Sequence, residues 1–327
     1  MPQVLCTALS TETGPHFELL AKAGFEIVVP DRSKNLYQAE NLLLAARGFD
    51  AVIAGSEPWP RSLIEQLPEL RVLSRTGVGF DAIDLAACDD HQVVVATTPG
   101  VNHHAVAEHT LALLLGIARG FPRRDQVVRA GKWERPSTPR LMGRTLGVLG
   151  LGRIGQAFVE KVSGLGMKVL GYDPYPNADF VSRSGIAMTS FDDLLAGSDY
   201  VSLHLPVSRE TKHVINEQSI KKMKPGAILI NTARGALVDE DALFAALQSG
   251  HLRGAALDVF ETEPLPLSSP LLTLPNVLTS PHIAGLDDES QFDTLTMAAD
   301  TIIQLQAGGW PAERIQNLKG VSSWKWS

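Results

Sequence analysis

The sequence predicts an α/β protein of two domains, in which short parallel strands alternate with covering helices and one domain is a doubly wound sheet. Three observations carry this. At 327 residues the chain is about two domains long, at roughly 150 residues each. Its first hundred residues repeat a β-branched run, a turn and a helical stretch, the rhythm of a parallel sheet with helices on its faces. A glycine-spaced turn, Gly150-Leu151-Gly152-Arg153-Ile154-Gly155, then joins an apolar strand to a helix.

Taken in order, strands are expected at residues 4–8, 26–29, 51–54, 72–74 and 93–96, where β-branched residues cluster between turn signals. Pro99-Gly100 breaks that rhythm. Residues 102–120 then read as one long helix with Val106, Leu111, Leu114 and Leu115 on an apolar face, so a domain boundary is expected near residue 100. After a stretch rich in Pro and Arg at 132–144, a strand at 145–149 leads into the glycine turn, a helix to about 165, and a strand at 168–172 that ends in Asp173. Strands at 199–203, 227–231, 255–258 and 277–280 complete the second sheet.

Composition narrows the function. Hydrophobic residues at 44% and charged residues at 20% place the chain among ordinary globular proteins. A net charge of -7 lacks the positive excess that duplex phosphates require, so a nucleic-acid partner is not expected. Cys6 and Cys88 lie in apolar surroundings and form no motif, which reads as two small buried hydrophobes in a reducing compartment. Met1-Pro2-Gln3 carries no basic leader, and the most apolar later stretch, 111–118, is too short for a bilayer about 30 Å thick. A cytoplasmic protein without a membrane partner is expected.

The glycine turn carries the first chemistry. In a βαβ unit of this kind Gly150 permits the tight turn, Gly152 lets the main chain approach a pyrophosphate, and Gly155 lets helix and strand pack closely. The amides and dipole of the helix N-terminus receive the diphosphate. Asp173, 18 positions beyond Gly155, is placed to accept from the ribose hydroxyls and to repel a 2'-phosphate, and Pro174-Tyr175-Pro176 supply no arginine. The expected cofactor is NAD on a Rossmann-type sheet. Ligands on such sheets sit outside the carboxyl ends of the strands. Arg234, Glu263 and His282 each follow one of those ends, and together they suggest a catalytic group.

The residues then resemble a known family, the D-isomer-specific 2-hydroxyacid dehydrogenases, along essentially the whole chain. The likeness rests on Gly77-Val78-Gly79-Phe80-Asp81, Thr98-Pro99-Gly100-Val101-Asn102, the turn ending at Gly155, Asn231-Thr232-Ala233-Arg234-Gly235, Leu257-Asp258-Val259-Phe260-Glu261 and Ser280-Pro281-His282-Ile283-Ala284-Gly285. It implies a flavodoxin-like substrate domain at residues 1–100, completed by a return segment at 290–327, and an NAD-binding Rossmann domain at 101–289. The site would be the cleft between them. It also implies a homodimer through the NAD-binding domain, with the arm around Gly131-Lys132-Trp133 crossing to the partner.

The resemblance assigns roles that make physical sense. Arg234 would pair with the substrate carboxylate and the reacting oxygen, using a planar fork that lysine lacks. Val78 and Gly79 would hold the carboxylate through backbone amides, with Asn102 beside the substrate. His282 would give a proton to the carbonyl oxygen in the reducing direction and take it back in the other, with Glu263 holding its ring. Asp258 would contact the nicotinamide carboxamide. Arg153, Ile154, His204, Pro206, Thr232, Ala233 and Gly285 would complete the cofactor contacts.

Within the family, Gly131-Lys132-Trp133-Glu134-Arg135 and Gly171-Tyr172-Asp173-Pro174 look most like 3-phosphoglycerate dehydrogenases. Those enzymes commonly carry an Arg-Ser pair after the third strand to grip a phosphate, where this chain reads Gly55-Ser56-Glu57, and they often append a regulatory domain for which no residues remain. Arg75 is a substitute phosphate ligand on this reading, or a structural residue. A dehydrogenase of glyoxylate or hydroxypyruvate type is therefore ranked first and a 3-phosphoglycerate dehydrogenase second. An NAD-sensing corepressor of the same fold comes third. His103, His104 and His109 lack a Cys or carboxylate framework, so no metal is expected. Arg119, Arg123 and Arg124 read as a solvated or dimer-contact patch, and Trp324 and Trp326 as packed on the domain or frayed.

Overall fold

A computed structural model describes residues 1–8, 13–319 and 324–326 of the chain. They form two compact units, Met1–Asn102 with Asp287–Ser327, and His103–Leu286.

The first unit is built on five parallel strands, β1 (Gln3–Cys6), β2 (Glu26–Val28), β3 (Ala51–Ala54), β4 (Val72–Arg75) and β5 (Val94–Ala96), in the order β2-β1-β3-β4-β5. The order reverses between β1 and β3, as in flavodoxin-like sheets. Alternate residues serve opposite faces. Val4, Cys6, Ile53 and Val72 face the helix Asp288–Gln306, whose Leu295, Ala299, Ile302 and Leu305 complete that core. Leu5, Val52, Ala54 and Leu73 face Leu42, Trp59 and Leu63 on the other side. Both cysteines are buried and free, and burial is the main reason that their thiols rise to about 11 at Cys6 and about 12 at Cys88. Trp324 donates its indole N–H to Gln92 O at 2.8 Å, and Trp326 stacks edge-on against Phe25, so this part of the tail is packed.

The second unit holds β6 (Thr145–Leu149), β7 (Lys168–Tyr172), β8 (Ala187–Met188), β9 (Tyr200–Leu203), β10 (Ala227–Asn231), β11 (Leu252–Leu257) and β12 (Val277–Thr279), all parallel, in the order β12-β11-β10-β9-β6-β7-β8. This is the doubly wound order, with its switch point between β6 and β9. Along β10, Ala227 and Leu229 enter one core and Ile228 and Ile230 the other, the mark of a sheet covered on both faces.

Strand ends differ from the sequence expectation by a few residues. β1 ends at Cys6 because Thr7 and Ala8 turn to share Ile53 O, and β11 starts at Leu252, three residues early, around a register shift beside Ala227. The two-residue β8 lies in the run Ile186-Ala187-Met188, too short to be expected as a strand. The long helix runs His103–Arg119, and its buried face holds Val106, Thr110, Leu113 and Leu114, with Leu111 and Leu115 only flanking it. A polar Thr110 within that face hid its true centre from hydrophobic periodicity. Among the described residues no helix is long and apolar enough to cross a membrane.

Candidate active site

The carboxyl ends of β6 and β9 meet at the switch point, and the glycine turn lies on them. Gly150 has φ +98, and a Cβ there would come within 2.6 Å of His204 C and O. A Cβ on Gly155 would come within 2.1 Å of Gly150 O, so the helix Arg153–Val162 packs on the turn too closely for any side chain. Gly152 is different. It has ordinary backbone angles, φ -68 and ψ -171, and a Cβ on it would meet nothing within 4 Å. Neither strain nor packing requires glycine there, and an unfilled approach to helix amides that lack intrahelical partners is what a diphosphate needs.

Asp173 ends β7, and its two oxygens accept the amides of Leu151 at 2.6 Å and Tyr175 at 2.7 Å. It therefore braces the glycine turn. His204 packs against Phe158 and pairs Nε2 with Ser202 Oγ at 2.9 Å, while its Nδ1 is buried without a partner among the described residues. Burial lowers its pKa to about 3, so the ring is neutral. Pro206 is exposed on the same loop, as is Arg153 at the start of the helix, with Ile154 half-buried beside it. The open position at Gly152, the orphan nitrogen of His204 and the carboxylate of Asp173 fit an NAD molecule.

Three neighbouring strand ends supply the other site residues. Asn231, at the end of β10, accepts from Ala233 N through its side chain and donates to Arg234 O, a tight turn that aims Arg234 off the strand. Next to it, Gly235 lies against the backbone of Phe260, where a Cβ would come within 1.8 Å of the carbonyl carbon. Phe260 N donates to Glu263 Oε1 at 2.9 Å, and Glu263 Oε2 accepts from His282 Nδ1 at 2.6 Å. Glu263 and His282 are thus in direct contact, and Arg234, 48 positions before His282, is tied to them through the backbone of Gly235 and Phe260. His282 itself has φ +54, a left-handed conformation uncommon for non-glycine residues, which Gln92, His213 and Leu318 also adopt.

Asp258 holds that conformation. Its main-chain oxygen accepts from His282 N, and its carboxylate from Ile283 N at 3.1 Å, Ala284 N at 2.8 Å and Ser280 Oγ at 2.5 Å. The side chain is fully buried. Burial pushes its carboxyl upward, but the hydrogen bonds from His109, Ser280 and the two amides together leave it below the usual carboxylate range. Its oxygens are thus engaged by the loop that carries His282 and Gly285. Thr232, at 7% exposure, hydrogen-bonds Thr110 Oγ1 at 2.8 Å, and Ala233 is half-buried.

In the first unit, Val78 and Gly79 follow β4 on a turn anchored by Gly77 N to Thr98 Oγ1 at 2.8 Å. Asn102 Oδ1 is buried without a partner among the described residues. Glu57, after β3, is 5% exposed, and its carboxylate accepts from Gly55 N and the Thr7 hydroxyl.

Sequence reasoning missed His109, Thr110, Ser280 and Gly235. His109 reads in the sequence only as one of a histidine group and Thr110 carries no signal of its own, yet both touch the strand-end loops. Among the described residues no three His, Cys, Asp or Glu side chains are placed to hold a metal ion.

Residues 111–284 match the NAD-binding domain of the D-isomer specific 2-hydroxyacid dehydrogenases. The chain is 37% identical over 307 residues to a D-3-phosphoglycerate dehydrogenase of Archaeoglobus fulgidus, covering 93% of this chain and 57% of that protein. It is 38% identical over 318 residues to a glyoxylate reductase of Thermofilum pendens, covering 95% and 93%. The chain thus spans little more than half the length of the first of these curated relatives. The solved D-lactate dehydrogenase of Aquifex aeolicus, complexed with NAD and lactic acid, superposes with a TM-score of 0.82 at 32% identity, over 95% of this chain and 98% of that one.

Proposed function

Because the chain belongs to the D-isomer-specific 2-hydroxyacid dehydrogenases, a family of NAD-dependent oxidoreductases acting on CH–OH donors, we propose that it interconverts a small 2-keto acid and its D-2-hydroxy acid. The observation that carries this is the 2.6 Å bond from His282 Nδ1 to Glu263. With Nδ1 held, Nε2 is the nitrogen left to exchange a proton with a substrate oxygen.

NADH, when bound, would supply the hydride. Gly150, Gly152, Gly155 and the first turn of the helix, with Arg153 and Ile154, would hold its diphosphate, Asp173 its ribose, and His204, Pro206, Thr232, Ala233 and Gly285 its remaining contacts. Asp258 orders the loop beneath the nicotinamide position. Arg234 pairs with the substrate carboxylate and steadies the negative charge that builds on the reacting oxygen. Val78, Gly79 and Asn102 of the first unit are proposed as substrate contacts. Glu263 keeps the His282 ring oriented by holding Nδ1, which leaves Nε2 for the substrate oxygen.

The buried Glu57 favours an uncharged substituent on the substrate, which supports glyoxylate or hydroxypyruvate over a phosphorylated acid. A homodimer in the cytoplasm completes the reading. The helix Phe121–Arg129 buries none of its residues, and Phe121, Val128 and Trp133 stand 63%, 56% and 81% exposed, an apolar patch that a second copy would cover. The test is NADH oxidation with glyoxylate, hydroxypyruvate, pyruvate, 2-ketoglutarate and 3-phosphohydroxypyruvate. Turnover led by the first two supports the reading, turnover led by the last moves it to 3-phosphoglycerate dehydrogenase, and no turnover with any ends it.

A further inference from the structure

We propose that His109, on the helix His103–Arg119, is a positioning residue that fixes the proton order of the Ser280–Asp258 pair beneath His282. The inference rests on the dehydrogenase reading above. His109 Nε2 lies 2.9 Å from Ser280 Oγ and 3.5 Å from Asp258 Oδ1. Asp258 is an acceptor at every contact, since it also receives the amides of Ile283 and Ala284. Ser280 has one proton, and at 2.5 Å from Oδ1 that proton belongs to the Asp258 contact. Toward His109 the hydroxyl can then only accept, so Nε2 must carry a hydrogen and donate it. Donation runs from His109 Nε2–H to Ser280 Oγ and from Ser280 Oγ–H to Asp258 Oδ1, while the Asp258 carboxylate also accepts the amides of Ile283 and Ala284 and its main-chain oxygen accepts that of His282.

This gives a role to a side chain that touches neither substrate nor cofactor. A left-handed His282 persists only while its surroundings hold it. Asp258 is the peg, and His109 stops Ser280 from turning its proton away from the peg. Thr110, the next residue, ties the same helix to Thr232 before Arg234, so adjacent residues of one helix brace the loops of both Arg234 and His282.

A purely structural His109 and a donating one respond oppositely to two replacements. His109→Phe keeps the ring volume and removes the donor, whereas His109→Gln loses the ring and keeps an N–H at similar reach. We expect Phe to lower kcat for 2-keto acid reduction about tenfold, the rate equivalent of leaving one buried acceptor without its hydrogen bond. NADH affinity and substrate KM should stay within about twofold, and Gln should recover most of the kcat. In a Ser280→Ala background the gap between Phe and Gln should close. Phe outperforming Gln, or the two being equal, would overturn the inference. Nitrogen-15 shifts of His109 in the wild-type protein give a substrate-free readout. A protonated Nε2 is expected, and a bare Nε2 overturns the proposal even if no 2-keto acid is turned over. Absence of turnover in the wild-type protein would count against the dehydrogenase reading itself, and with it against any kinetic role for His109.

Discussion

Two glycines of one motif, three positions apart, should fail in opposite ways when changed to alanine. At Gly155 the new methyl would sit 2.1 Å from Gly150 O and 3.1 Å from its carbon. Ordinary C···O contacts are about 3.3 Å or longer, so backbone must move by about 1 Å. Neither partner is a flexible side chain, and a cost of about 3 kcal/mol, the upper range for overpacking, is expected. For a unit of this size that is a fall of about 10 °C in Tm. At Gly152 the methyl would meet nothing, and the backbone angles suit any residue. Losing glycine from the helix N-cap costs a few tenths to about 1 kcal/mol, and a stiffer unfolded chain returns a similar amount, so Tm should hold. The methyl would instead stand between the helix amides and the diphosphate. Losing even one charge-assisted hydrogen bond, worth about 1.5–3 kcal/mol, weakens NADH binding at least about tenfold. Thermal melting without cofactor and fluorescence titration with NADH measure both effects. Undiminished NADH affinity in Gly152→Ala, or an unchanged Tm in Gly155→Ala, would refute the reasoning.

Other consequences can be checked alongside. His282→Asn should keep NADH binding and lose turnover, and parent-like rates would remove it as the acid. Arg234→Lys should cost about 3 kcal/mol in kcat/KM, the scale of one preorganised charge donor, and an unchanged value would exclude it from the site. Asp173→Ser with Pro174→Arg should shift preference toward NADPH while lowering NADH affinity, because the turn also loses its brace at Leu151; a constant cofactor ratio would point to another ribose reader. His16 is fully buried, and burial holds its pKa at about 4 against a usual 6.5. The unfolded chain then binds more protons, so stability is whole above about pH 6.5 and falls toward pH 4 by up to about 1.4 kcal/mol per unit. Urea denaturation of His16→Phe should show a flatter slope in that window, and an unaltered slope would remove His16 as its cause.

The linear sequence determined the parallel α/β class, the glycine turn with its strand, helix and terminal Asp173, and the candidacy of Arg234, Glu263 and His282. Each of these is written in local terms: β-branched runs, glycine spacing, or a polar residue directly after a strand. Only the tertiary structure decided how the last three connect. The links between them are a Gly235 backbone against Phe260, a Phe260 amide on Glu263 and an Asp258 carboxylate under the His282 loop. None of those links has a sequence period, because each joins strand ends that are neighbours through sheet order. His109 shows the same limit. On the chain it is one of three nearby histidines, and only the crossing of its helix over the ends of β10 to β12 gives it Ser280 as a partner.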